Sequence, residues 1–377
     1  MLGVLREKFR LLMGLTIVLL FIWEANAAPE IRIGLSLDGK RQEFSGNLIL
    51  FVGKKLNFKG FYSSFTVSAV GENLKVTIGK KSFFTPRITV VAKSGFVGIS
   101  GKKYRGKIEC WAKGGRLVLV NVVDLEDYLK GVVPKEMGPN FPEEALKAQA
   151  VIARTYALKH LKRHSREGYD LCDTQHCQVY GGVNVENPKT TRAVTETYGI
   201  VLMYKGELVN AFYTASCGGR TASSKEAWGR RIPYLVSHAD PFCKSIGDFS
   251  WKASVSLRTL TYLLREVGVS CGNIKKVYVY KKTGSGRVSR VAIVGNCGRK
   301  ILKVSTFKYA LNRDKLRLKS TLFRIKVNGS KVYFYGKGFG HGVGLCQWGA
   351  YGMAKQGYTW RQILKFYYPG VLLRKIY

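Results

Sequence analysis

Residues 131–158, GVVPKEMGPNFPEEALKAQAVIARTYAL, constrain the fold more than any other stretch. Pro134, Pro139 and Pro142 stiffen the backbone around one acidic residue, Glu136. The pattern predicts an apolar strand end at Gly131, Val132 and Val133, then a short loop carrying Glu136, then a helix. Pro142 suits the first turn of that helix, where a missing N–H costs nothing, and Asn140 suits the cap. Leu146, Ala150, Ala153, Ala157 and Leu161 make an apolar stripe of small residues at helical spacing, ending near the basic run 162–164. One carboxyl group is thus held between rigid elements, with Arg154 a few turns away.

The chain around this stretch has 377 residues, 46% of them hydrophobic and 23% charged, which is globular material with room for a substantial core. Lys and Arg number 62 against 24 Asp and Glu, a formal charge of +38. Such an excess favours a polyanionic partner: nucleic acid, anionic lipid or an acidic wall polymer. The N-terminus narrows that choice. Arg6, Lys8 and Arg10 precede an apolar run from Leu11 to Trp23, and Ala25-Asn26-Ala27 follows as a cleavage pattern. Residues 1–27 therefore read as a secretory signal peptide, too short to persist as a span. Export, to the periplasm or cell envelope, argues against nucleic acid and for an envelope polymer. No stable membrane span is expected after cleavage. If the signal stays uncleaved, it is an anchor and the body is still exported.

An α+β fold is expected, a mixed catalytic body with a β-rich N-terminal region and an inserted α/β sub-domain. Residues 28–118 hold short β-branched or aromatic segments (31–35, 48–52, 74–78, 88–91) broken by Gly, Asn, Lys and Ser, as in a small sandwich or an edge extension. The catalytic core is expected at 119–250, with a strand over 117–123 and a helical turn capped by Asp124. A helix is expected over 188–197 and a hairpin turn at Lys205-Gly206-Glu207. Residues 251–335 form a basic sub-domain, with a helix over 257–267 and strands near 274–280, 290–294, 301–304 and 322–327. Residues 336–377 complete the core with two helices, 347–356 and one opened by a Thr359/Gln362 capping box.

Eight cysteines in an exported chain suggest disulfides. Cys217 with Cys243, and Cys271 with Cys297, are the expected pairs. Cys172 and Cys177 differ: with His164 and His176 they offer two thiolates and two imidazoles, the ligand count of a closed zinc site. A Cys172–Cys177 disulfide with unliganded histidines is the rival. Two Gly-rich stretches stand out. Ser216 to Thr221 reads as a substrate-facing loop or a plain turn. Gly336 to Ala350 surrounds His341 with glycines that let a backbone approach a ligand closely.

Taken in order, several motifs together resemble the SpoIID/LytB family of stage II sporulation protein D and amidase-enhancer relatives. They are Tyr104–Gly106, LEDYLKGVVPKEM (125–137), ALKAQA (145–150) with ARTY (153–156), CQVY (177–180), Ser216–Thr221 and Gly338–Ala350. The resemblance implies a peptidoglycan lytic transglycosylase acting on glycan strands, or a helper of a wall amidase. It implies Glu136 as the catalytic acid and a part for Arg154. Arg154, Gln178, Tyr180, Ser216, His341 and Gln347 are the positions expected to bind substrate. The resemblance also implies a structural zinc at Cys172, His176, Cys177 and His164.

The residues agree with that chemistry. Ordinary glycosidases pair two carboxyls. Here one acid is well placed, while Glu143 and Glu144 fall at a helix start. A single residue suffices if it serves as acid and then base, which asks for a semi-apolar setting from Val132, Val133, Met137 and Phe141. A catalytic zinc needs an open position, and four ligands leave none.

Overall fold

The computed structural model describes residues 27–377 except 38, 54, 247, 248, 314 and 315. The expected signal peptide lies outside the described residues but for Ala27. The fold is α+β, in two compact units. The first comprises the chain up to Pro139, Ala153–Met203 and Leu373–Tyr377; the second comprises Asn140–Ile152 and Tyr204–Leu372.

The first unit is built on one ten-stranded sheet. Its strands are β1 (Glu30–Gly34), β2 (Arg41–Val52), β3 (Asn57–Val70), β4 (Asn73–Ile78), β5 (Lys81–Thr85), β6 (Arg87–Ile99), β7 (Lys102–Tyr104), β8 (Lys107–Lys113), β9 (Arg116–Asp124) and β10 (Leu171–Cys172). The order is β10-β1-β9-β8-β6-β2-β3-β4-β5, with β7 on β6. Alternation drives it: β8 buries Ile108, Cys110 and Ala112, and β4 buries Leu74 and Val76 while Lys75 faces water. Two-residue turns at Gly71 and Gly79, both at positive φ, join β3 to β4 and β4 to β5. Strands β3 and β4, although several places away in this order, also contact β8, and β3 contacts β9, so the sheet folds back on itself. Strand β9, assigned from sequence to the core, lies between β1 and β8 and continues the same sheet.

Helix α1 (Leu125–Glu136) leaves β9 directly. Asp124 caps it, its side chain accepting from the amides of Glu126 and Asp127. The expected strand end at Gly131–Val133 is instead buried helix. Asp124 nucleates a turn that continues through Pro134, since Leu125, Tyr128, Leu129, Val132 and Val133 form one apolar face. Helix α2 (Glu143–Lys159) follows Pro142 as expected, but is buried on nearly every side from Ala145 to Ala157; Leu161 lies beyond it, exposed. Helix α3 (Pro188–Glu196), capped by Asn187, packs on α1. Strand β11 (Ile200–Tyr204) pairs with the C-terminal strand Leu372–Lys375.

In the second unit, residues 250–337 form a core of their own. It joins Trp251, Leu260, Leu264, Val291, Phe307, Leu311, Phe323 and Phe334. Two three-stranded antiparallel sheets (250–256 with 331–337 and 323–328; 274–282 with 288–295 and 298–303) carry it. Helix Val304–Arg313 was not expected; its start directly abuts a strand and no cap residue marks it. Helices Gln347–Lys355 and Trp360–Tyr367 form as expected, the latter with its capping box complete. Neither expected disulfide is present. Cys271 donates its thiol to Gly298 O (3.1 Å), and Cys217 and Cys243 are both unbonded thiols.

Candidate active site and metal centre

In the first unit, Glu136 is the last residue of α1 and is half-buried. The amide of Val179 donates to its Oε1 at 2.9 Å. The segment that delivers Val179 is fixed from both sides. Gly181 N donates to Gly131 O (3.1 Å), and the Tyr180 hydroxyl donates to Asn121 Oδ1 (2.9 Å) beneath α1. Gly131 makes this possible: a Cβ there would lie 2.5 Å from the Tyr180 ring. Met137, Val132 and Val133 are buried beside the carboxyl's helix end, whereas Phe141 packs on Trp348 and Tyr351 within the second unit. Glu143 and Glu144 are tied to Lys147, each at 3.1 Å.

Three of the expected substrate contacts in this unit are buried instead. Arg154 is 0% exposed. Its Nε and Nη2 grip both oxygens of Glu126 (2.6 and 2.7 Å), and it also donates to Ile200 O and Val194 O. The guanidinium thus ties α2 to α1, α3 and β11. A buried cation needs its counter-charge, and this one has it in Glu126 and not at an exposed surface. Tyr377 completes the knot, its hydroxyl donating to Glu126 Oε1 at 2.6 Å. Gln178 is fully buried, accepting from the Tyr128 hydroxyl (3.4 Å), and Tyr180 is buried under α1. Burial pushes both phenols up, so they act as neutral donors. Sequence reasoning missed Glu126 because two acids in a first helical turn already suit the helix dipole; Asn121 gave no signal inside a strand.

His164, Cys172, His176 and Cys177 come together as expected, with one ligand atom from each within 4.8 Å of all the others. Cys172 Sγ lies 3.7 Å from His176 Nδ1, and Cys177 Sγ lies 3.4 Å from His164 Nε2. These separations match the edges of a tetrahedron around zinc, roughly 3.4–3.8 Å for bonds of about 2.0–2.3 Å. Arg163, with burial adding to it, holds His176 below its usual range, in the neutral form a metal requires. The four residues fit a closed zinc site. Cys177 is two residues from Val179, so the cluster would anchor the strap that touches Glu136.

In the second unit, Ser216 is fully buried. It exchanges backbone hydrogen bonds with Phe339, and its Oγ lies 3.4 Å from Cys243 Sγ. In this structure it braces the Gly-rich turn and presents no exposed surface. Gln347, also buried, donates from Nε2 to Gln149 Oε1 at 3.3 Å. His341 is half-buried at the wall of a cavity of about 730 Å³ that Trp228, Glu226, Arg287, Lys303 and Lys308 also line. Its Nδ1 accepts from Val343 N (3.0 Å). Burial, reinforced by Arg287, lowers it to about 4. The ring is neutral at physiological pH and able to contact a ligand in the cavity.

Comparison with known proteins bears on both units. The sequence model of the family described as "Stage II sporulation protein" matches residues 113–204. The stage II sporulation protein D of Bacillus subtilis (strain 168) is 34% identical over 266 residues, 67% of this chain and 74% of that protein. The chain belongs to the stage II sporulation protein D family. An uncharacterized protein of Brachyspira hyodysenteriae is 34% identical over 307 residues, 81% of each chain. The amidase enhancer of B. subtilis is 33% identical over 291 residues, 65% of this chain but 40% of the enhancer. Residues 225–344 match a domain of unknown function, DUF8618, which takes in the basic sub-domain. The family match covers Glu136, Arg154, the zinc-type cluster, Gln178 and Tyr180; Ser216, His341 and Gln347 lie beyond it.

Proposed function

We propose that this protein is an exported peptidoglycan lytic transglycosylase that acts in the cell wall through Glu136 alone. The observation that carries the reading is the placement of that carboxyl. It is half-buried at a helix end, and a backbone amide is aimed at one oxygen by a strap braced on Tyr180 and Gly131. In the reaction, the protonated carboxyl gives its proton to the oxygen linking N-acetylmuramic acid to N-acetylglucosamine, and the bond from that oxygen to the muramyl C1 breaks. The resulting carboxylate takes the proton of the muramyl C6 hydroxyl, whose oxygen bonds to C1. The products are a 1,6-anhydromuramyl end and a free N-acetylglucosamine 4-hydroxyl. No water is consumed and Glu136 returns protonated, so a second carboxyl is not required.

The remaining first-unit residues position this group. Val179 N–H orients Oε1; Arg154 and Glu126 lock α2 against α1; Tyr180 seats the strap. A zinc ion held by His164, Cys172, His176 and Cys177 would supply cross-linking, with no open coordination position for chemistry. The test is incubation with peptide-free glycan strands and mass analysis of the soluble products. Anhydromuramyl ends are expected from the wild type, and at least a hundredfold fewer from Glu136→Gln. Equal turnover by the two proteins would refute the assignment.

The identity with the amidase enhancer favours one alternative: a wall-binding protein that speeds an N-acetylmuramoyl-L-alanine amidase. In that case the purified protein releases nothing by itself, amidase release accelerates, and Glu136→Gln is without effect.

A further inference from the structure

Cys217, Asp240, Cys243 and Cys346 converge in the second unit, with one ligand atom from each within 4.8 Å of all the others. All four residues are completely buried. They arrive from three separate segments: the Gly-rich turn, the start of the short helix Pro241–Ile246, and the N-cap of helix Gln347–Lys355. We propose that these four side chains bind a structural zinc ion of their own, distinct from the cluster at 164–177.

Donor chemistry supports the choice of metal. Three thiolates and one carboxylate oxygen in a compact group suit zinc's tetrahedral preference and its affinity for sulfur. The surroundings are those of a thiolate centre. The amides of Cys217 and Gly349 donate to Cys346 Sγ (3.1 and 3.4 Å), and Ser216 Oγ lies against Cys243 Sγ. Asp240 is oriented by the amide of Cys243 at Oδ1 and by the Tyr367 hydroxyl at Oδ2, both at 2.9 Å. Such outer contacts fix ligands and disperse their charge. Gly349 leaves space for them, since a Cβ there would meet Asp240 Oδ2 at 2.5 Å.

Charge supplies a second, independent observation. Four anionic ligands around a divalent ion leave an excess of negative charge in the interior. Arg287, only 3% exposed, donates from Nη2 to Cys217 O at 2.7 Å and to Arg220 O at 3.4 Å, while its Nε and Nη1 have no hydrogen-bond partner among the described residues. A guanidinium buried without full pairing is costly unless a nearby negative centre compensates. The Glu226 carboxylate acts on this guanidinium as well, and a metal-bound cluster of this composition adds negative charge that three neutral thiols beside Asp240 lack. With every ligand buried and four donors engaged, the ion would be closed to substrate and would pin the turn bearing Ser216 to the helix that begins at Gln347.

The full chain, dialysed against metal-free buffer, is expected to carry two zinc ions by plasma mass spectrometry. Cys172→Ser/Cys177→Ser and Cys346→Ser are each expected to carry one. X-ray absorption at the zinc edge of Cys172→Ser/Cys177→Ser should show three sulfur neighbours and one oxygen. A wild type with one zinc that survives in Cys172→Ser/Cys177→Ser and disappears in Cys346→Ser also supports the inference. A folded Cys172→Ser/Cys177→Ser protein without zinc overturns it, as does a Cys217–Cys243 disulfide in unreduced peptide maps. If the serine variants do not fold, Asp240→Asn replaces them. It is expected to surrender one zinc to a chromogenic chelator at least tenfold faster than wild type, and an unchanged release rate counts against the site.

Discussion

At the residue scale, the two units treat their buried ionisable groups in opposite ways. Arg154 has a full complement of acceptors, with Glu126 locked in front of it. Arg154→Leu would leave Glu126 buried without its cation. A loss of about 3–5 kcal/mol is expected by denaturant titration, and less for the paired variant Arg154→Leu/Glu126→Leu. His341 is held neutral. Its folded value, about 4, lies below the ordinary 6.5. Between those values the unfolded chain binds more protons, so stability rises with pH. The contribution is complete above about pH 6.5 and is lost as pH falls toward 4. Allowing for partial exposure, it amounts to about 1–3 kcal/mol. His341→Gln should flatten that part of the stability profile measured by urea unfolding at a series of pH values. The convergence of the four side chains at 164–177 was legible in the sequence, because close Cys/His spacing is a local signal; the helix that ends at Glu136 was not. The burial of Arg154 was not: its partner is 28 residues away on another helix, and only packing reveals it.

At the scale of elements, α1 decides the geometry around Glu136. The sequence read Gly131–Val133 as strand, since two adjacent β-branched residues favour that state locally. The Asp124 cap and the apolar face begun by Leu125 outweighed the preference. In an ordinary helix, glycine to alanine stabilises by up to about 1 kcal/mol. At Gly131 the sign is expected to reverse, because the added methyl would meet the Tyr180 ring at 2.5 Å and Gly182 O at 3.0 Å. Gly131→Ala should cost about 1–3 kcal/mol in thermal unfolding. It should also lower turnover on glycan strands more than that loss of folded protein explains, by shifting Val179 away from Glu136. Of the ten-stranded sheet, β1, β4, β9 and parts of β2 and β6 were legible, while β3, β5, β7, β8 and β10 and the pairing were not, since period-two alternation marks a strand and says nothing of its neighbours.

At the scale of the whole molecule, the formal charge of +38 is spread over both units and suits an anionic wall polymer. Binding to isolated cell walls is expected to weaken at least tenfold between 50 mM and 500 mM salt in a sedimentation assay, as screening shortens from about 14 Å to about 4 Å. A residue without such dependence should be traced to the exposed rings of β3, where Phe58 and Phe61 touch at 5.3 Å and Lys93 lies over Phe61. Phe58→Ala/Phe61→Ala should abolish the salt-resistant fraction. Among the described residues no helix is long and apolar enough to cross a membrane.

The contribution of Leu373–Tyr377 to the first unit has a bearing on how the chain matures. A polypeptide emerges from its N-terminus onward, so the ten-stranded sheet appears early, yet the phenol that closes over Glu126 arrives only after some 170 intervening residues of the other unit. Cleavage ahead of Leu373 would strip that closure from an otherwise finished body. Protease nicking near the C-terminus should therefore loosen the Glu126–Arg154 knot before it dismantles the rest of the unit, which limited proteolysis followed by thermal unfolding would read.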